Sequence, residues 1–325
     1  MRKLLFFVVS CAFIGGIVFG EGAKEAFPSK PITIICPWAA GGGTDRTARF
    51  VADSLAKVVG QPVNVVNKTG GNGAVGHQAG ASAKPDGYTI TNLTFEVNTL
   101  KYLGYSDVTP NDFIPLVQFN QDAAAVIVGG NSPYKSVKDL LDDIRSKPAG
   151  TFSFSGSGIG TVWDLARIGL LDKVGIDPKR VKYIPTNGAA PAITEMLGGH
   201  LDVITCSYPE AAPQIKAGQL KCLGIMAAER NPQFGDVPTL KEQGIDWTYG
   251  TWRGFAVPLK TPQADVQVLR DALLKVVQSQ DFKDFMNKNG FGMDIRVGDD
   301  FMKFMLNQFD GLKGIFQLAG YGKQA

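Results

Sequence analysis

Short apolar runs alternate with amphipathic stretches along almost the whole chain. Ile32–Cys36 (Ile-Thr-Ile-Ile-Cys) has the apolar, β-branched character of a buried strand. Pro37-Trp38-Ala39-Ala40-Gly41-Gly42-Gly43-Thr44-Asp45 follows, and apolar residues then recur at Ala48, Val51, Ala52, Leu55, Val58 and Val59, one face of a helix. The same patterning predicts strands at 63–67, 89–93, 114–119, 124–128, 152–155, 181–184, 203–206, 222–226 and 254–257. Helices are predicted at 45–59, 77–83, 137–146, 161–171, 189–197, 211–217, 266–278, 280–289 and 299–318. Such alternation implies an α/β fold with mixed, mostly parallel sheets flanked by helices. A polar hinge at 129–133 and a Pro/Gly-rich passage at 229–254 divide the chain. Two lobes are expected: 27–128 plus 228–325, and 129–227, with the C-terminal helices returning to the first.

The N-terminus changes the setting of this body. Met1-Arg2-Lys3 precedes an apolar run over 4–19 and a small, polar segment, the layout of a secretory signal peptide covering 1–22. Val8-Val9-Ser10-Cys11 offers a second reading, lipoprotein anchoring through Cys11, and an uncleaved anchor is a third. Each version exports the protein, so a periplasmic location is expected. The formal charge of +3 is small for 325 residues, and Lys and Arg are scattered, which argues against nucleic acid as a partner. Cys36, Cys206 and Cys222 lie in apolar, strand-like contexts where a free thiol acts as a small hydrophobe. An oxidising compartment also permits a Cys206–Cys222 bridge. His77 and His200 lie far apart without neighbouring ligands, so no metal site is predicted.

The chemistry lies in the glycine-rich turns. Gly41-Gly42-Gly43, between strand and helix, lets backbone N–H groups approach a ligand at a helix N-terminus, with Thr44 or Asp45 as the N-cap. Ser155-Gly156-Ser157-Gly158-Ile159-Gly160-Thr161 repeats the arrangement in the other lobe, and Asn187-Gly188-Ala189-Ala190 opens a further helix. Facing one another, the first two would hold the ends of a dicarboxylate. Gly71-Asn72-Gly73-Ala74-Val75-Gly76 matches G-x-G-x-x-G, but its helix is short and no acidic residue stands about twenty positions on, so a cleft-rim loop is expected and no cofactor. Walker-type and G-x-S-x-G motifs are absent. His200, at a helix end, reads as exposed; His77 sits beside the rim loop. Trp38 lies inside the first cradle.

Landmarks along the chain resemble the substrate-binding proteins of tripartite tricarboxylate transporters, the Bug-type receptors. They are Pro28-Ser29-Lys30-Pro31-Ile32, Gly41-Gly42-Gly43-Thr44-Asp45, Pro85-Asp86-Gly87-Tyr88-Thr89, Gly188-Ala189-Ala190-Pro191-Ala192-Ile193, Gly198-Gly199-His200-Leu201-Asp202-Val203, Asp236-Val237-Pro238-Thr239-Leu240 and Trp252-Arg253-Gly254. The resemblance implies a two-lobed, type II-like periplasmic-binding-protein fold with the ligand cleft between lobes. It implies a monomeric, non-enzymatic receptor that passes a small organic acid (a di- or tricarboxylate, amino acid or aromatic acid) to membrane permease subunits. By position, Trp38, Ala39, Gly43, Thr44 and Asp45 would grip a carboxylate, Asp45 by ordering the loop rather than by touching an anion. Ser155, Gly158 and Thr161 of the second turn, Asn187, Ala189 and Ala192 of the third, and Phe95, Glu96 and Tyr208 complete the candidate set. Trp163-Asp164 stands where relatives often carry His, Asn187 where Gly is frequent, and Glu96 in a loop usually built of small residues. A cleft-facing Glu96 would disfavour a polyanion and favour an amino group or a neutral ligand, which argues against citrate. An exported hydrolase or transferase, and a ligand sensor for a signalling partner, are the alternative readings.

Overall fold

The computed structural model describes residues 26–320; the predicted signal segment, with Cys11, lies outside the described residues. The elements run β1 (Ile32–Cys36), α1 (Gly43–Val59), β2 (Val63–Asn67), α2 (Ala74–Ala81), β3 (Thr89–Thr94), β4 (Phe113–Gly129), α3 (Val137–Ser146), β5 (Ser153–Ser155) and α4 (Val162–Lys173). They continue with β6 (Lys182–Tyr183), α5 (Ala189–Leu197), β7 (Val203–Ser207), α6 (Tyr208–Lys216), β8 (Leu220–Ile225) and β9 (Gly250–Pro258). The chain closes with α7 (Gln263–Gln278), α8 (Gln280–Asn289), β10 (Arg296–Val297), α9 (Asp299–Gly311) and α10 (Lys313–Ala319).

These strands make two sheets that share β4. In the first, β2, β1 and β3 are parallel, β9 lies antiparallel on β3, and β4 antiparallel on β9, with β10 beside it. In the second, the far end of β4 pairs antiparallel with β7 and β8, while β5 runs parallel to β7 and β6 to β5. One core packs α1 (Ala48, Val51, Leu55), α7 (Val266, Leu269, Leu273) and α8 (Phe282, Met286) against the first sheet. The other packs α3 (Leu140, Ile144) and α4 (Leu165, Ile168) against Val126, Ile127 and Ile204 of the second, and extends through Phe301, Met305, Leu312 and Phe316. α10 packs on α4.

Three departures from the predicted pattern have physical causes. The strands expected at 114–119 and 124–128 are one strand of 17 residues. The polar residues Asn120, Gln121 and Asp122 break the apolar run, yet they mark the passage from one sheet to the other and not a loop. For the same reason β9 starts four residues early, because Thr251 and Arg253 are buried in it. The helix expected at 299–318 is split at Leu312 into α9 and α10. The stretch 129–133 is the turn that ends β4, with the Gly130 N–H on the Gln219 carbonyl. Cys36, Cys206 and Cys222 are all free thiols; burial pushes Cys36 and Cys222 up to about 12, so they stay protonated at neutral pH.

α2 lies tightly on β3: an ideal Cβ at Gly80 would fall 1.9 Å from Thr91 Oγ1. Helix propensity alone favours Gly80→Ala by about 1 kcal/mol. The steric clash is expected to reverse that sign, destabilising the fold by about 1–3 kcal/mol in urea denaturation. A stabilised variant would show that the α2–β3 contact yields.

Candidate functional site

The loops at the ends of β1, β3, β5 and β6 meet the start of α6 and the middle of β9 around one narrow cavity of about 30 Å³. Three helices, α1, α4 and α5, begin at its wall, and none is capped by the side chain of its own N-cap residue. The first-turn N–H groups and the helix dipole make each terminus attractive to negative charge.

The α1 terminus is built from Gly42 and Gly43. Gly42 is the N-cap, replacing the predicted Thr44 or Asp45, which fall inside the first turn. An ideal Cβ on Gly43 would lie 2.7 Å from Arg253 Nη2 and 2.9 Å from Glu210 Cγ, so glycine is required by close approach. Asp45 faces away from the cavity: Oδ2 accepts from the Gly41 N–H (2.9 Å) and Arg49 Nε (3.0 Å), and Oδ1 from Asn67 Nδ2 (2.8 Å). Burial opposes its ionisation, but Arg49, the Gly41 N–H and Asn67 outweigh it and hold the carboxyl below its ordinary range. Asp45 therefore ties the glycine loop to α1 and β2.

A chain of polar contacts fixes the opposite wall. Trp38 Nε1 donates to Thr94 Oγ1 (3.1 Å), and Thr94 Oγ1 donates to Glu96 Oε2 (2.6 Å). Glu96 Oε1 accepts from the Val162 N–H at the start of α4 (3.2 Å). Burial pushes the Glu96 carboxyl up, against those hydrogen bonds that favour its charged form. Behind Thr94, His77 is fully buried: its Nε2 accepts from the Thr94 N–H (3.3 Å) and its Nδ1 donates to the Gly73 carbonyl (2.8 Å). This is the neutral tautomer those partners require.

Arg253, from β9, joins everything together. Its Nε donates to Thr44 Oγ1 (3.0 Å), its Nη1 to Asn120 Oδ1 (2.5 Å) and Asp122 Oδ2 (2.6 Å), and its Nη2 to Glu210 Oε1 (3.3 Å). Glu210 also takes the Gly43 N–H on Oε1 (3.3 Å), while its Oε2 accepts from Ser207 in the capping box of α6. Arg253 is 2% exposed. Among the described residues it is the one cation in the cavity wall.

Of the candidate residues, Trp38, Ala39, Gly43, Thr44, Glu96, Asn187 and Ala189 line the cavity. The others do not. Phe95 packs in the core, edge-on to Tyr249 at 5.9 Å. Ser155 donates to the Ile184 carbonyl, and Thr161, the α4 N-cap, donates to the Gly158 carbonyl. Gly158 abuts Asn72, whose Nδ2 donates to the Ile159 carbonyl (2.8 Å), so the G-x-G-x-x-G loop bridges to the second glycine turn. Ala192 is core, and Tyr208 stacks on Phe234 at 4.1 Å. In the second turn it is Ser157, with Val162 and Trp163, that reaches the wall. Thr94, Glu210, Thr251 and Arg253 also line the cavity and are absent from the candidate set, Arg253 entering only through the Trp252-Arg253-Gly254 landmark. An Arg within the apolar run of β9 was the available signal, since such a charge is buried only with partners. Neither histidine lines the cavity; His200 is exposed and paired with Glu195. No group of three or more His, Cys, Asp or Glu able to hold a metal occurs among the described residues.

Two sheets joined by one shared strand, with a cavity at their junction, define a periplasmic binding protein of the Venus-flytrap kind. Residues 47–320 match the family model described as "Tripartite tricarboxylate transporter family receptor", and the chain belongs to that family of solute-binding receptors. A TctC solute-binding protein from Polaromonas is 37% identical, with a TM-score of 0.65 over 90% of this chain and 99% of that one. The periplasmic binding protein BugD is 27% identical, with a TM-score of 0.85 over 92% and 100%. A UPF0065 protein from the ttuE-ttuC' intergenic region of Agrobacterium vitis is 32% identical over 77% of this chain and 72% of its own.

The buried histidine has a measurable signature. Burial lowers His77 from 6.5 to about 4, so the unfolded chain takes up this proton first as the pH falls. Stability is thus expected to drop between pH 6.5 and 4, by about 3 kcal/mol for this group at 1.4 kcal/mol per unit. Urea denaturation across that window should show a shallower drop for His77→Gln than for the wild type. Equal slopes would mean that His77 takes up its proton over the same pH range in the folded and unfolded chain.

Proposed function

We propose that this chain is an exported receptor that captures a small organic acid in the cavity and delivers it to the permease subunits of a tripartite tricarboxylate-type transporter. The observation that carries this reading is the convergence of three helix N-termini on one cavity. Backbone N–H groups at the start of α5 offer neutral, preorganised donors to a carboxylate, and Asn187 and Ser157 add polar side chains. Trp38 is braced by Thr94 and forms an apolar flank. β4 passes between the two sheets and supplies the axis on which lobes 27–128 plus 228–325 and 129–227 close over the ligand. The family assignment supports the transport partner. Gripping a carboxylate through fixed backbone dipoles avoids the cost of ordering long cationic side chains on binding.

Isothermal titration of ligand-stripped protein against organic and amino acids is expected to give at least one saturable ligand, with a rise in Tm on binding. Gly43→Ala pushes Arg253 and Glu210 out of place, so affinity for that ligand is expected to fall at least 10-fold. Unchanged affinity in the alanine variant would place the ligand elsewhere.

A further inference from the structure

Two carboxylates of the chain itself already occupy two of the three helix N-termini. Glu210, from α6, accepts from the Gly43 N–H of α1, and Glu96, following β3, accepts from the Val162 N–H of α4. Each carboxylate is held on one oxygen from its own side, Glu210 by Ser207 and Glu96 by Thr94, and reaches the facing helix with the other. Their side chains are buried, Glu210 at 6% exposure and Glu96 at 1%. Arg253 does not balance them for an incoming anion, because its guanidinium is engaged by Asp122, Asn120, Thr44 and Glu210 together. The wall therefore carries two carboxylates against one guanidinium, with the Asp122 carboxylate directly behind. The α5 terminus is different: Gly188, at φ +116, is its N-cap, and no side chain caps the helix.

We propose that Glu96 and Glu210 set the ligand class, restricting the cavity to a molecule with a single carboxylate and an ammonium group, a small amino acid in place of a di- or tricarboxylate. The carboxylate sits at the uncapped α5 terminus and the ammonium faces Glu96 and Glu210. A second ligand carboxylate would need the α1 or α4 terminus, where it would displace an internal carboxylate or lie against it. An ammonium supplies the positive charge that Arg253 cannot share. This inference rests on the reading of the cavity as the solute site.

The test is isothermal titration of ligand-stripped protein with the twenty common L-amino acids, the deaminated acid of each responder, and succinate, malate and citrate. At least one monocarboxylic amino acid is expected to bind 100-fold tighter than its deaminated counterpart and than every di- or tricarboxylate. Glu96→Gln and Glu210→Gln are expected to cut that preference at least 10-fold and to improve succinate binding. The wild-type ranking needs no variant to fold. A di- or tricarboxylate as the tightest wild-type ligand, or a preference unchanged in both variants, would overturn the assignment of ligand class and leave the organic-acid reading standing. Absence of binding by every compound would overturn both.

Discussion

The guanidinium of Arg253 is the point on which the site's geometry depends. It lies on β9, beside the passage of β4 between the sheets, and its hydrogen bonds reach α1 through Thr44, β4 through Asn120 and Asp122, and α6 through Glu210. A guanidinium that loses water on burial must recover every donor's partner, and removing one side of such a pair costs about 3–5 kcal/mol. The four partners therefore have little freedom to move independently. Because they come from three separate elements, satisfying one charge aligns the α1 N-terminus with the start of α6.

Glycine at position 43 follows from the same constraint. Arg253 Nη2 and the Glu210 side chain fill the space where a Cβ would stand, so the first turn of α1 approaches them through bare backbone. That approach aims the helix N-terminus at the cavity, while Asp45, facing the other way, holds the loop to Arg49 and Asn67. On the other wall, His77 works at one remove. By accepting the Thr94 N–H it sets the threonine that in turn orients both Trp38 and Glu96.

Much of the fold was legible from periodicity. The strand Ile32–Cys36, the helix face built on Ala48, Val51 and Leu55, and the glycine turn between them are local patterns, and local patterns suffice for them. Where the pattern misled, buried polar residues were responsible. Asn120 and Asp122 read as a break because hydrophobicity marks what is buried in oil, and these are buried against a charge. Phe95, Ser155 and Tyr208 erred in the opposite direction: each lies within two residues of a cavity residue in sequence but points into core or loop. Proximity along the chain therefore does not assign a side chain to the cavity.

By itself the sequence determined an α/β receptor of the tripartite tricarboxylate family, with glycine turns feeding helix N-termini, because strand and helix periods, glycine placement and ordered landmarks are properties of contiguous residues. Only the tertiary structure decided what those N-termini face. Gly43 lies 167 residues from Glu210 along the chain, and Val162 lies 66 from Glu96, yet each pair meets across the cavity. Charge balance inside a desolvated space is a sum over such distant contacts, and no window of sequence contains it.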